Sequence, residues 1–114
     1  MINEDDRKNS SVVDERRLYY INHPYDEDAK RDENEVIRER YYRNHTWDED
    51  AKKDQDEYIR EAWFEGHPED ADAKKDVCRY IRMTFYKRNL YDKDAKRDES
   101  EIIRERYYKN YPTG

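Results

Sequence analysis

The sequence predicts an all-α fold built from five tandem helical repeats of 22 residues each. Three observations lead to this prediction. Four segments align without gaps, neither glycine nor proline interrupts the body of any of them, and their apolar residues recur at helical spacing. Together they predict a small helical array or solenoid, organised as a single repeat domain over residues 1–114.

The repeat is read directly from internal identity. Repeat 2, residues 25–46, and repeat 5, residues 91–112, agree at 16 of 22 positions, and repeats 3 (47–68) and 4 (69–90) align with both. Repeat 1, residues 3–24, is degenerate but keeps the aromatic pair and the closing Asn-His-Pro. Seven positions are the same in repeats 2 to 5, and in repeat 2 they are Asp26, Asp28, Ala29, Lys30, Asp32, Ile37 and Arg38.

Local signals mark where the helices begin and end. An aspartate opens each of repeats 2 to 5 in the position of a helix N-cap, namely Asp26, Asp48, Asp70 and Asp92. Residues suited to the left-handed conformation just past a helix follow the last apolar position, namely Asn44, Gly66 and Asn110. Pro24, Pro68 and Pro112 come next and prevent the helix from continuing.

The number of helices in each repeat stays open. Asn34, Asp56, Cys78 and Ser100 stand in the middle of their repeats, and all are weak helix formers. Each repeat is therefore either one helix of about 18 residues or a short helix followed by a longer one. Acidic residues at the start and basic residues at the end favour one helix, arranged alternately up and down.

One apolar stripe predicts the core. It carries an isoleucine and, four residues later, an aromatic residue in each of repeats 2 to 5. These residues are Ile37 with Tyr41, Ile59 with Trp63, Ile81 with Phe85 and Ile103 with Tyr107. Tyr58 and Ile102 are also expected on this stripe. The second aromatic of each pair points elsewhere, so each helix is expected to pack against two neighbours.

Composition limits the class of protein. Charged residues make up 47% of the chain, yet 24 basic residues offset 30 acidic ones and leave a net charge of −6. With 14% aromatic residues, the chain is expected to fold rather than to stay disordered. Cys78 is the single cysteine, and no signal peptide or membrane-length apolar run is seen, which predicts a cytoplasmic protein.

No catalytic, cofactor or metal motif is found. The acidic run after Tyr25 lacks the glycine of a calcium loop, and histidines recur at the repeat spacing only in repeats 1 to 3. We expect no enzyme activity, no cofactor and no metal. The four shared charged positions instead predict an ion network between repeats: Asp28, Lys30, Asp32, Arg38, Asp50, Lys52, Asp54, Arg60, Asp72, Lys74, Asp76, Arg82, Asp94, Lys96, Asp98 and Arg104.

Function is expected to lie in binding. The leading hypothesis is a non-enzymatic repeat protein that binds proteins or assembles with itself, since Tyr, Trp and Arg dominate interface energetics. One alternative is an acidic inhibitor of the phage type that mimics nucleic acid and blocks a nucleic-acid enzyme. A second is a binder of single-stranded nucleic acid through interleaved Arg and Tyr, which the net charge opposes.

The last repeat predicts where self-assembly would occur. Repeat 5 is nearly a twin of the internal repeat 2, so it is expected to leave an apolar face uncovered at the end of the array. The residues assigned to this interface are Ile102, Ile103, Tyr107, Tyr108 and Tyr111. A two-fold contact would give a dimer and a head-to-tail contact a filament, and the sequence leaves both open.

Overall fold

A computed structural model describes residues 4–111, with side chains described from Val12 onward. All regular structure in this range is helical. The five α-helices are α1 Glu4–Asn22, α2 Glu35–Asn44, α3 Glu57–Gly66, α4 Arg79–Arg88 and α5 Glu101–Asn110. Four short 3-10 helices precede α2 to α5, at Glu27–Arg31, Glu49–Lys53, Ala71–Lys75 and Lys93–Arg97. Asn3 and Pro112, the outer limits of the repeat assignment, lie outside the described residues.

Each of repeats 2 to 5 contains two helices, so the expectation of one 18-residue helix is wrong and the alternative is confirmed. The break falls at the mid-repeat residues that are weak helix formers. Asn34 has an extended backbone and its side chain accepts hydrogen bonds from the amides of Val36 and Ile37. Asp56 caps α3 in the same way through the amide of Tyr58. These residues therefore start a second helix instead of continuing the first.

Repeat 1 shows the opposite outcome, because α1 runs without a break from Glu4 to Asn22. At the positions of Asp32 and Asn34, repeat 1 carries Ser10 and Val12. Valine offers no side-chain oxygen for a cap, and the aspartate that turns the linker is absent. The degeneracy of repeat 1 thus removes the residues that divide the other repeats.

The helix ends differ from the expectation. No described residue has a positive φ, so the left-handed ends expected at Asn44, Gly66 and Asn110 are wrong. Each of the three is the last residue of its α-helix. The residue that follows is a cap with negative φ whose amide bonds back to the final turn, as at His45, where it donates to the carbonyl of Tyr42. Aspartates 26, 70 and 92 do cap the 3-10 helices, each accepting from the amide two residues later.

The predicted core is confirmed. The four isoleucines Ile37, Ile59, Ile81 and Ile103 are 2–4% exposed, and their aromatic partners Tyr41, Trp63, Phe85 and Tyr107 are 6–9% exposed. The alanine of each 3-10 helix is equally buried, and each 3-10 helix packs against the α-helix of its own repeat. In repeat 2 the buried cluster is Ala29, Ile37 and Tyr41, with Tyr20 of repeat 1 against it. Each repeat therefore covers much of its own core.

Internal contacts divide the chain into two compact units, Met1–Asp48 and Glu49–Gly114. The first contains α1, α2 and one 3-10 helix, and the second contains α3, α4, α5 and three 3-10 helices.

Candidate interaction surface

Successive repeats are joined by an arginine in the first turn of the α-helix. Arg60 places Nε 2.9 Å and Nη2 3.4 Å from the two carboxylate oxygens of Asp76 in the next repeat. Its Nη1 donates to the carbonyls of Asp54 and Gln55 in its own linker. Arg82 makes the same contacts one repeat later, with Asp98 as its carboxylate. One guanidinium thus fixes both a linker and the neighbouring repeat.

The carboxylate that receives this arginine has a second partner. Asp76 Oδ1 accepts from the amide of Cys78 at 2.8 Å, and Asp98 Oδ1 from the amide of Ser100 at 2.8 Å. The same turn is present at Asp32 and at Asp54. The shared aspartate therefore shapes the linker between the two helices of its repeat as well as the joint between repeats.

A lysine forms a second joint. Lys52 Nζ lies 2.8 Å from Asp70 and 2.8 Å from Asp72. Lys74 lies 2.6 Å from Asp92 and 2.8 Å from Asp94. Each of these lysines also lies over the core aromatic ring of its own repeat, at 5.8 Å from Trp63 for Lys52 and 5.6 Å from Phe85 for Lys74.

The charges at the lysine joint alter each other's ionisation. Hydrogen bonds from Lys52 to Asp70 and Asp72 raise the pKa of the Lys52 ammonium. For Asp70, burial acts to raise the pKa, but hydrogen bonds from Lys52, from the amide of Asp72 and from the Trp63 indole together lower it. Both groups therefore stay charged over a wide range of pH.

The arginine and lysine contacts between neighbouring repeats also occur in the first unit. Arg16 Nε lies 3.0 Å from Asp32, and Lys30 Nζ lies 2.6 Å from Asp48. Arg38 donates to the carbonyl of Asp32 at 2.8 Å. In repeat 5, Arg104 holds the corresponding carbonyl of Asp98 at 2.6 Å. Asp28 lies 3.5 Å from Arg31 of its own repeat, between Oδ1 and Nη1.

Sequence reasoning missed half of the lysine joint. The capping aspartates Asp48, Asp70 and Asp92 were assigned to helix starts alone, yet each receives a lysine from the preceding repeat. Asp48 and Asp70 also accept from the aromatic residue seven positions earlier, from the Tyr41 hydroxyl and the Trp63 indole, each at 3.2 Å. The conserved identity of these aspartates in repeats 2 to 5 was the signal that could have revealed the second role.

The repeated histidines close helices. The Nδ1 atoms of His23, His45 and His67 lie 2.7–2.9 Å from the carbonyl oxygen four residues earlier. Each imidazole also stacks on the aromatic ring of that same residue, at centroid distances of 3.6–4.0 Å. Asn89 replaces the imidazole with an amide that bonds to the carbonyl of Phe85 at 2.9 Å. Within the described residues no group of three potential ligands is placed to hold a metal ion.

A row of exposed apolar side chains occupies one position of every repeat from 2 to 5. We call Tyr58, Tyr80 and Ile102 of the second unit the exposed ladder, and their exposed fractions are 72%, 54% and 49%. Val36 holds the same position in the first unit and is 46% exposed. The expectation that Tyr58 and Ile102 belong to the core stripe is therefore wrong. They stand second in their helices, and the isoleucine that follows each of them is buried.

The C-terminal repeat is only partly uncovered. Ile103 and Tyr107 are buried, so their assignment to an open interface is wrong, because the 3-10 helix of the same repeat covers them. Tyr111 is half-buried, with its ring 5.4 Å from Tyr91 and 5.2 Å from Tyr107. Ile102 and Tyr108 remain exposed, at 49% and 47%.

The second aromatic residue of each pair shows how a following repeat changes exposure. Phe64 and Tyr86 are each 7% exposed in the second unit, where repeats 4 and 5 follow them. Tyr108 occupies the same position in α5 and is 47% exposed. Tyr108 therefore occupies a position that α3 and α4 bury where another repeat follows.

Comparisons with known proteins give no relative: no family model, curated protein or solved structure matches the chain. Among the helices described, none has both the length and the apolar character needed to cross a bilayer.

Proposed function

We propose that this chain is a non-catalytic helical-repeat module that binds proteins and associates with itself through its C-terminal repeat. The observation that carries the proposal is the exposed ladder. Three large apolar side chains recur at one position of the repeat and remain 49–72% exposed, although the same repeat buries its isoleucine to 4% or less.

The exposed ladder contributes little to folding. A side chain that keeps about half of its surface in water gains only part of the roughly 1.5–3 kcal/mol available from full burial. Isolated exposed apolar residues are common, but repetition at equivalent positions of one unit concentrates them on equivalent faces. Tyrosine is also among the residues that contribute most at protein interfaces. These properties favour docking over a structural role.

Self-association is assigned to Ile102 and Tyr108. The residues equivalent to Tyr108 in α3 and α4 are buried where another repeat follows. A second copy that covered Tyr108 and Ile102 would bury a comparable apolar surface. Repeats of one kind form stacked contacts with each other, which favours a repeat-like partner. Either a closed dimer or a continuing chain is consistent with this surface.

The two nucleic-acid alternatives receive less support. Aspartates at the repeat joints are paired with lysine or arginine, as in Asp98 with Arg82 at 2.9 Å, which reduces the charge that could imitate a phosphate backbone. The rings of Tyr41 and Tyr107 are buried and so are not free to stack on bases.

The proposal is tested by sedimentation velocity on the wild type and on Ile102→Glu/Tyr108→Glu. Both substituted side chains are about half exposed, so circular dichroism is expected to show an intact fold. At high micromolar concentration we expect the wild type to sediment as a dimer or larger species and the variant as a monomer. Tyr25→Glu, at an 84% exposed position of the first unit, is the matched control and should behave as the wild type.

Two results would contradict self-association. The first is a wild type that remains monomeric at every concentration, and the second is a double variant that associates as strongly as the wild type.

A further inference from the structure

A cavity of about 150 Å³ lies in the unit Met1–Asp48, between the end of α1 and the face of α2. Its floor is apolar and includes the buried side chains of Ala29, Ile37 and Tyr41, with the half-buried Tyr20 beside them. Three arginines and His23 also line it, so basic residues outnumber the acidic ones in its lining. These arginines are Arg17, Arg40 and Arg43.

Two acids share this lining and lower its positive charge without cancelling it, because three arginines face two carboxylates. Glu39 is paired with Arg43, with 2.6 Å between Oε1 and Nη2. Asp26 accepts from the amide of Asp28 and from the Tyr19 hydroxyl. Among the described side chains, neither Arg17 nor Arg40 has a carboxylate within ion-pair distance. An apolar floor below two uncompensated guanidinium groups is complementary to an anion with an apolar body.

The same place in the second unit provides an internal comparison. Most residues that line the first cavity have counterparts three repeats, or 66 positions, later in the chain. These counterparts line a cavity of only about 20 Å³ between α4 and α5. There Met83 stands in place of Arg17, Asn89 in place of His23 and Leu90 in place of Pro24, while Arg106 keeps the position of Arg40. The larger, basic cavity is therefore a property of the local sequence in repeats 1 and 2 rather than of the repeat itself.

We propose that this cavity binds a carboxylate carried on a small apolar or aromatic body. The available volume corresponds to about five water molecules at roughly 30 Å³ each, which suits a ring or a short branched chain and is too small for a nucleotide-sized cofactor. Arginine pairs with a planar carboxylate through two parallel N–H donors. The apolar body occupies the floor above Ile37, which an inorganic anion would leave empty. A small free acid and the C-terminal residue of a peptide share this chemistry.

Benzoate is the probe for the test. It is titrated into the full chain while the methyl signals of Ile37 and Val36, which both line the cavity, are followed by NMR. Acetate lacks the apolar body and benzyl alcohol lacks the charge, so each is expected to bind at least about tenfold more weakly than benzoate. A peptide ending in a free phenylalanine carboxylate, beside its amidated form, distinguishes a peptide terminus from a free acid as the natural source.

The arginines are tested by Arg17→Met/Arg40→Met, which should weaken benzoate binding at least about tenfold. Both side chains are exposed, so the fold is expected to survive, which circular dichroism checks. Arg106→Met, the equivalent change at the small cavity, is the control and should leave benzoate binding unchanged. The proposal is overturned if benzoate shows no saturable shift at Ile37, if benzyl alcohol binds equally well, or if the double variant binds as tightly as the wild type.

Discussion

At the scale of single residues, Arg82 links two repeats through a side chain that is almost fully removed from water. The side chains of Arg82 and Asp98 are 7% and 3% exposed, and two nitrogen–oxygen contacts of 2.9 and 3.4 Å join them. Removing one partner of a buried pair leaves the other charge without compensation. The exposed pair between Arg43 and Glu39, with 71% and 51% exposure, offers a contrast within the same protein.

We expect Arg82→Ala to lower the free energy of unfolding by about 3–5 kcal/mol, measured by chemical denaturation. Arg43→Ala should cost no more than about 0.5 kcal/mol, because solvent screens the exposed pair. A double-mutant cycle with Asp98→Asn isolates the interaction between the two side chains. If Arg82→Ala were as mild as Arg43→Ala, the joint would not contribute to stability as we describe.

Tyr86 makes stability depend on pH in the alkaline range. Burial, reinforced by the negative charges of Asp92 and Asp98, raises the pKa of its phenol from 10.0 to about 12. The folded state therefore holds this proton more tightly than the unfolded state does. The stability that the protonated Tyr86 phenol contributes is complete below pH 10 and is lost as the pH rises from about 10 to 12.

Tyr86→Phe should accordingly reduce the loss of stability between pH 10 and 12, followed as the denaturation midpoint at each pH. Tyr80→Phe, at a 54% exposed position, is the control and should follow the wild type. Identical alkaline curves for Tyr86→Phe and wild type would show that Tyr86 is not responsible.

Residue identity predicted part of these contacts. The four charged positions shared by repeats 2 to 5 were assigned to an ion network because exposed pairs alone seldom justify such repetition. The carboxylate that each lysine or arginine contacts depends on where the repeat divides into two helices. The sequence alone did not settle that position. The lysine partners Asp70 and Asp92 were therefore missed, although their positions as helix caps were recognised.

At the scale of the helices, repeats 2 to 5 differ in whether the mid-repeat residue caps the α-helix that follows it. Asn34 and Asp56 bond to the first amides of their helices, whereas Cys78 and Ser100 make no such bond. Helix α4 still begins at Arg79. Its linker is held in place because the Asp76 carboxylate accepts from the amide of Cys78 and Arg82 donates to the carbonyl of Asp76. Its first amides nevertheless lack the acceptor that α2 and α3 possess.

Cys78→Asp is expected to supply this acceptor and to raise the free energy of unfolding by about 0.5–2 kcal/mol. The carboxylate would also lie at the positive end of the helix dipole. Asp56→Ala should give a loss of similar size, because it removes an existing cap from α3. Thermal or chemical denaturation checks both. A Cys78→Asp protein no more stable than wild type would show that the missing cap bond is not limiting.

Gly66 is the second position at which a helix can be improved. It is the last residue of α3, its φ is not positive, and a Cβ added there would meet no atom within 4 Å. Gly66→Ala should therefore raise the free energy of unfolding by about 0.5–1 kcal/mol, since alanine loses less backbone entropy in a helix. A decrease in denaturation midpoint would mean that this residue needs the freedom of glycine after all.

The helices themselves were only partly predictable. Helix type, the C-terminal ends of the α-helices and the burial of Ile37 or Trp63 followed from the sequence, whereas the starts of the α-helices did not. The division of each repeat did not, because charge polarity favoured one long helix while Asn34 and Asp56 favoured a new start. The hydrogen bonds of the capping side chains and of the arginines that hold the linkers stabilise two helices more than the helix dipole stabilises one. These hydrogen bonds are visible only in the three-dimensional structure.

At the scale of the whole molecule, each of repeats 2 to 5 packs a 3-10 helix against its own α-helix. This local covering explains why Ile103 and Tyr107 are buried in the last repeat, contrary to the expectation of an open end. The surface left for partners is consequently narrower than the sequence predicted. Of the five residues assigned to the interface, Ile102 and Tyr108 stay exposed, at 49% and 47%.

The interaction surface was hard to predict for a geometric reason. Ile102 and Ile103 are adjacent and equally apolar, yet one is 49% exposed and the other 2%. Their separation depends on where α5 begins, since a shift of one residue rotates a helix by about 100°. Once the start at Glu101 is known, Ile102 falls outside the covered face and Ile103 inside it.

The exposed member of this pair, Ile102, is the residue at which association can be tested most directly. The measurement is the isoleucine methyl NMR spectrum of the wild type recorded from low to high micromolar concentration. We predict that the Ile102 methyl signals shift or broaden with concentration and do so far more than those of buried Ile37 in the other unit. A spectrum that does not change with concentration, or one in which other isoleucines respond and Ile102 does not, would contradict the account.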